Sequence, residues 1–178
     1  MKIKKTKFNG LKIITLTKNN DFRGNLVETY RKNLFNNKDL IFDYKVFSKK
    51  NVLRGFHFQH KNKQIKYITV LKGKILDCVI DLRRNSKTFG KTFKIILSEK
   101  NRLSLYVPSG FAHSYLTLDR ENIVYYKLSN YYYPKYEDGI LWSDKSLQIK
   151  WPNKKPIVSK KDMELKTFLK FKNMYGGI

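Results

Sequence analysis

The 178-residue sequence holds one cysteine, four prolines, three histidines and only 14 acidic side chains. A single cysteine excludes an intramolecular disulfide framework and a four-thiolate zinc site. No run of 18 apolar residues occurs, so no transmembrane helix and no membrane partner are expected. The basic stretch Met1 to Phe8 is followed by a short apolar one, Leu11 to Leu16. A secretory signal needs a longer apolar region and a small-residue cleavage site. The default expectation is a reduced, cytoplasmic protein.

The shortage of acid is the loudest feature. Against 38 Lys+Arg it leaves a formal charge of +24, which raises the question of a nucleic-acid or anionic-lipid partner. A basic disordered tail would be poor in aromatics. This chain has 12 Tyr, 12 Phe and 41% hydrophobic residues, and one domain of this size can bury about 70% of its unfolded surface. A nucleic-acid binder gathers its charge on one face or helix. Here lysines are scattered: at the N-terminus, at Lys45, Lys49 and Lys50, from Lys61 to Lys66, from Lys91 to Lys100, and beyond Trp151. The charge reads as solvated surface, and no nucleic-acid partner is expected.

Repeats, low-complexity blocks and Pro/Gly/Ser linkers are absent too. The middle of the chain reads as strand after strand. Lys66 to Leu82 holds two β-rich runs joined near Lys72-Gly73. Thr92 to Leu97, Leu103 to Val107, Tyr115 to Leu118 and Ile123 to Leu128 follow. Short β-branched and aromatic runs at about 8–12-residue spacing predict an all-β sandwich or barrel. Helical candidates are a turn around Lys38 to Phe42, and the tail, where Ser159 can cap a helix through Asp162 to Lys170. Pro134 to Leu141 reads as a loop. The expectation is a single domain, 1–178, with a barrel core over 20–152 and a basic C-terminal extension over 153–178.

Two of the three histidines have informative neighbours: His57 in Gly55-Phe56-His57-Phe58-Gln59 and His113 in Pro108-Ser109-Gly110-Phe111-Ala112-His113. In a strand, His57 and Gln59 share one face and Phe56 and Phe58 the other. A barrel interior lined this way is a polar pocket in an apolar shell. The bland alternative, an ordinary hydrogen-bonded histidine, stays open on these residues alone.

The spacing resembles the two motifs of the cupin superfamily of jelly-roll barrels. Metal-binding cupins usually carry a second His and a Glu in the first motif, where this chain has Gln59 and Lys66. A lysine ammonium repels a cation, so metal-free chemistry without a cofactor is expected. The resemblance narrows to the dTDP-4-dehydrorhamnose 3,5-epimerase family of sugar-nucleotide epimerases. It is carried by Val52 to Gln59, Gln64-Ile65-Lys66, Gly73, Asp81-Leu82-Arg83, Ser86 to Gly90 and Pro108 to His113. Tyr125-Tyr126-Lys127, Tyr131-Tyr132, Trp142-Ser143-Asp144 and Ile149 to Pro152 continue it. Asp21 to Gly24 and Val158 to Asp162 extend it to about residues 20–165.

The resemblance implies a cupin-type jelly-roll homodimer that inverts C3 and C5 of a nucleotide-diphospho-4-keto-6-deoxy sugar. A C–H beside a ketone is acidic only if its enolate is stabilised, so the site needs a base, a cation and an acid on the far face. His57 matches the family's base, Asp162 the carboxylate that orients it, Lys66 the cation beside the keto oxygen and Tyr126 the far-face donor. His113 and Tyr131 match further residues lining the sugar site, Gln59 lies in the same motif, and Arg54 matches a diphosphate ligand. Arg23 and Glu28 match positions that reach the nucleotide from the partner subunit. The chain departs from the family at Leu26, where many members carry an aromatic. It departs again over Phe42 to Ser48, where only Ser48 fits a Gln-x-Asn-x-Ser-x-Ser pattern. A single-carbon epimerase, a ketoisomerase, an enzyme acting on another nucleotide sugar or a non-catalytic sugar-binding barrel are the alternatives.

Overall fold

The computed structural model describes residues 1–35 and 39–178. Its strands are β1 (Lys2–Lys5), β2 (Lys12–Thr15), β3 (Thr17–Asp21), β4 (Gly24–Glu28), β5 (Phe42–Lys49), β6 (Leu53–Gln59), β7 (Lys66–Lys72), β8 (Lys74–Asp81), β9 (Thr92–Ser98), β10 (Leu103–Val107), β11 (Phe111–Thr117), β12 (Glu121–Leu128) and β13 (Glu137–Gly139). Two short helices close the chain, α1 (Lys160–Met163) and α2 (Phe168–Tyr175).

The strands form a six-stranded sheet, β1-β2-β10-β7-β12-β5, facing a five-stranded sheet, β13-β6-β11-β8-β9. Strands β3 and β4 make a separate two-stranded ribbon. The named strand pairs are antiparallel, and the architecture is the expected all-β jelly roll.

Burial explains why the middle strands read so clearly. Strand β8 is covered on both faces. Its Ile75 and Val79 point between the sheets, against Ile68, Leu105, Phe111 and Val124. Its Cys78 and Ile80 point outward, into a second cluster with Phe56, Phe58 and Phe171. Alternating side chains therefore serve two cores, and each fully buried aliphatic or aromatic contributes ~1.5–3 kcal/mol. A third cluster, Ile14, Leu16, Phe35, Tyr67 and Tyr106, includes residues on β2, β7 and β10 of the six-stranded sheet.

Three expectations need correction. The Lys38 to Phe42 turn is not found: Lys38 lies outside the described residues, 39–41 carry no helix, and Phe42 opens β5, whose eight residues pair with β12. The tail is two helices, not one. Ser159 caps α1 by accepting from Asp162 N, but the chain then extends so that Lys166 O accepts from Leu141 N (2.8 Å), and Thr167 caps α2. The Pro134 to Leu141 segment contains a 3₁₀ turn and then β13, which pairs with β6. Gly139 permits that pairing, because a Cβ there would lie 2.4 Å from Phe56 O. The chain outside 20–152 is also built into the packing: β1 and β2 extend the six-stranded sheet, and Phe171 of α2 is fully buried.

Candidate active site

A cavity of about 310 Å³ opens between the two sheets, within the size range of small-molecule sites. Its lining comes from three sources: Arg54, His57, His113 and Tyr115 from β6 and β11, Tyr44, Val46, Lys66 and Tyr126 from β5, β7 and β12, and Ser159, Lys161 and Asp162 from the α1 region.

The strand register sets the histidines. His57 on β6 lies opposite His113 on β11, so the two share one sheet face. Gly55 allows the close approach. Its φ is +94°, and a Cβ there would sit 2.4 Å from His113 O. Any side chain at 55 would push β6 off β11 and His57 away from its partner.

Both cavity histidines are held by a carboxylate. Asp162 Oδ1 lies 2.8 Å from His57 Nε2, and Asp162 Oδ2 accepts from Gly55 N at 2.9 Å. A carboxylate only accepts, so His57 Nε2 carries the hydrogen and Nδ1 is left with a free lone pair for a proton. Burial pushes the Asp162 carboxyl up, but His57, the Gly55 amide and Ser159 together hold it below the usual carboxylate range. His113 Nε2 lies 2.7 Å from Asp77 Oδ2, both buried, and the same logic places its hydrogen on Nε2.

The cavity is cationic where it needs to be. The Lys66 ammonium has no ion-pair or hydrogen-bond partner among the described residues. Desolvation lowers its pKa to about 8, against the opposing pull of Glu137 and Asp77. Arg54 Nε donates to Ser48 Oγ (3.2 Å) while the side chain remains exposed. Lys161 pairs with Glu137, which also accepts from Tyr132 Oη (2.9 Å). Burial drives the Glu137 carboxyl up, and Lys161, His57 and Tyr132 bring it below its ordinary value.

Tyr126 is buried on the opposite sheet from His57. Its ring stacks on Tyr44 (5.0 Å between centroids, 25°) and meets His113 edge-on (5.8 Å, 78°). Burial keeps its phenol protonated to well above the ordinary pKa of 10.0.

Six of the ten residues singled out in the sequence therefore line one cavity: Arg54, His57, Lys66, His113, Tyr126 and Asp162. The other four do not. Gln59 is buried at the end of β6, donates to Asn62 O and Tyr131 O, and accepts from Tyr133 N (2.7 Å). Its amide satisfies loop backbone instead of facing the cavity. Tyr131 is exposed and packs on Phe42. Arg23 and Glu28 lie on the β3–β4 ribbon, paired with Asp21 and Arg31. Tyr44, Lys161, Glu137 and Asp77 went unread. Lys161 stands inside the Ser159 to Asp162 motif and was legible there. Asp77 and Glu137 become visible only through strand pairing.

The sequence profile of the dTDP-4-dehydrorhamnose 3,5-epimerase family matches residues 5–170. The chain belongs to that family. The match runs further towards the N-terminus than the 20–165 span of the motifs. The dTDP-4-dehydrorhamnose 3,5-epimerase of Methanothermobacter thermautotrophicus is 38% identical over 169 residues, 91% of either chain. A Bacillus anthracis dTDP-4-dehydrorhamnose 3,5-epimerase solved with TDP and PPi bound is 37% identical, with a TM-score of 0.90 over 94% of this chain and 99% of that one. ChmJ, a 3'-monoepimerase from Streptomyces bikiniensis solved with dTDP-quinovose, is 26% identical, with a TM-score of 0.88 over 96% and 89% of the two chains. Epimerase relatives thus share this fold whether they are named for one carbon or two.

Proposed function

We propose that this epimerase-family member inverts C3 and C5 of a dTDP-linked 4-keto-6-deoxy sugar by removing and replacing the protons beside the ketone, with no cofactor. The observation that carries the reading is the disposition of His57 and Tyr126 on facing sheets with Lys66 in the same cavity. His57 Nδ1 takes the proton from carbon. Electron density moves to the carbonyl oxygen, where the Lys66 ammonium offsets the enolate charge in a poorly solvated site. The Tyr126 hydroxyl returns a proton from the opposite face, which inverts the centre, and solvent then restores both groups. Asp162 holds the His57 ring and stabilises the imidazolium once formed. Arg54 and Lys161 are the cations available to the diphosphate, which a guanidinium binds bidentately.

Inversion of a single carbon is the second reading, and the likeness to a 3'-monoepimerase favours it. We place the enzyme in the cytoplasm as a homodimer, the arrangement that would give Arg23 and Glu28 a nucleotide to contact. Incubation with dTDP-4-keto-6-deoxyglucose in deuterated water tests the reading by NMR. Deuterium at C3 and C5 with both centres inverted is expected. Inversion at one carbon only would support the second reading, and no deuterium with any nucleotide sugar would overturn both.

A further inference from the structure

Tyr44 is a cavity residue with no assigned work. It sits on β5, the edge strand of the six-stranded sheet, directly opposite Tyr126 on β12. Cross-strand partners place their side chains on one face, and here the two rings stack at 5.0 Å and 25°. The two tyrosines differ in exposure: Tyr44 is 39% exposed and Tyr126 only 4%. Tyr44 therefore stands between Tyr126 and the open edge of the sheet. On its other side Tyr126 meets the edge of His113, which Asp77 holds in place. The donor ring is gripped between a stacked phenol and a fixed imidazole.

We infer that Tyr44 is a positioning residue for Tyr126, its ring face holding the donor phenol in line with the far face of the sugar, so that Tyr44 governs inversion and not proton removal. The inference rests on the function proposed above. Physically, a stacked ring restricts the rotation of its partner and keeps water from that side. The hydroxyls of Tyr44 and Tyr126 make no hydrogen bond to each other, so the ring and not the Tyr44 oxygen carries the role. Proton removal by His57 occurs at the opposite sheet and does not pass through Tyr44.

The two events can be read separately. In deuterated water, exchange with retention reports His57 alone, because the same base can return a deuteron to the same face. Inversion reports delivery from the far face. Tyr44→Ala is expected to keep exchange within about threefold of the parent and to lower the ratio of inverted to exchanged sugar about tenfold. Tyr44→Phe, which keeps the ring, is expected to hold that ratio within about twofold. Should Tyr44→Ala fail to fold, Tyr44→Leu keeps an apolar bulk without a ring face and carries the same expectation. A general collapse of the cavity would lower exchange and inversion together and would overturn the inference. An unchanged ratio in Tyr44→Ala or Tyr44→Leu would overturn it, as would Tyr44→Phe falling as far as Tyr44→Ala. If the parent protein shows neither exchange nor inversion, the proposed function fails and the inference falls with it. If the parent inverts and only the Tyr44 ratio stays put, the inference alone fails.

Discussion

The cavity and the β3–β4 ribbon are built on opposite principles. In the cavity, functional groups sit on packed sheet strands and on α1, and most are tied by a hydrogen bond or stacked ring. The ribbon, Thr17 to Glu28, pairs only with itself among the named strands. Its tip exposes Phe22 at 97% and Leu26 at 64%, and Arg23 bonds only its neighbour Asp21. Proton transfer needs atoms held to a fraction of an ångström, which only close packing provides. Capture of a flexible nucleotide tolerates looser parts. The contrast separates a packed cavity that holds the proposed proton-transfer groups from an exposed ribbon that we propose meets the nucleotide of a partner subunit.

Several substitutions would break or sharpen that division. His57→Ala should cost ~10²–10⁴-fold in kcat with the fold intact. Solvent-deuterium exchange checks it, and undiminished exchange would remove His57 as the base. Lys66→Met should cost about 10²–10³-fold in turnover, the scale of losing one oxyanion stabiliser. The same change should stabilise the fold at pH 7, because it removes a desolvated, unpaired cation; chemical denaturation measures this.

The pH dependence of these two quantities runs in opposite directions. As pH rises through about 8, Lys66 loses its proton and the enolate its counter-charge, so turnover should fall. The unfolded chain keeps that proton up to its ordinary 10.5, so this group's stability cost is complete below about 8 and disappears between 8 and 10.5. Denaturation midpoints at pH 7.5 and 9.5, compared between parent and Lys66→Met, isolate this contribution. Asp162, whose pKa is also lowered, shifts stability in the same direction but in the acid range. Its contribution is complete above the ordinary carboxylate range and is lost as pH falls through its lowered value.

The ribbon should give the smallest effect. Arg23→Ala is expected to raise KM about five- to tenfold and leave kcat unchanged, the signature of lost uniform binding. A fall in kcat instead would place the arm in the chemical centre and erase the contrast.

Legibility followed local periodicity. Strands β7 to β12 stood out because their β-branched and aromatic runs face buried layers. Strand β1 (KIKK) and β3 (TKNND) did not, since Lys, Asn and Asp are poor strand formers and their side chains are largely exposed. Gln59 shows the limit of alternation. It shares a predicted face with His57, yet it lies at the strand end, where loop carbonyls compete for its amide and win.

From its order of residues alone, this chain determines an all-β barrel and family motifs over most of its length; through the family resemblance those motifs point to His57, Lys66, Tyr126 and Asp162. Strand patterning and motifs rest on side-chain type and short-range spacing, which need no third dimension. Tertiary structure alone decided that Asp162 meets His57 across 105 positions, that Asp77 rather than a nearer acid holds His113, and that Tyr44 covers Tyr126. Those partnerships depend on strand register and on how two sheets face each other. A single shift in register would reverse the faces without changing any local propensity.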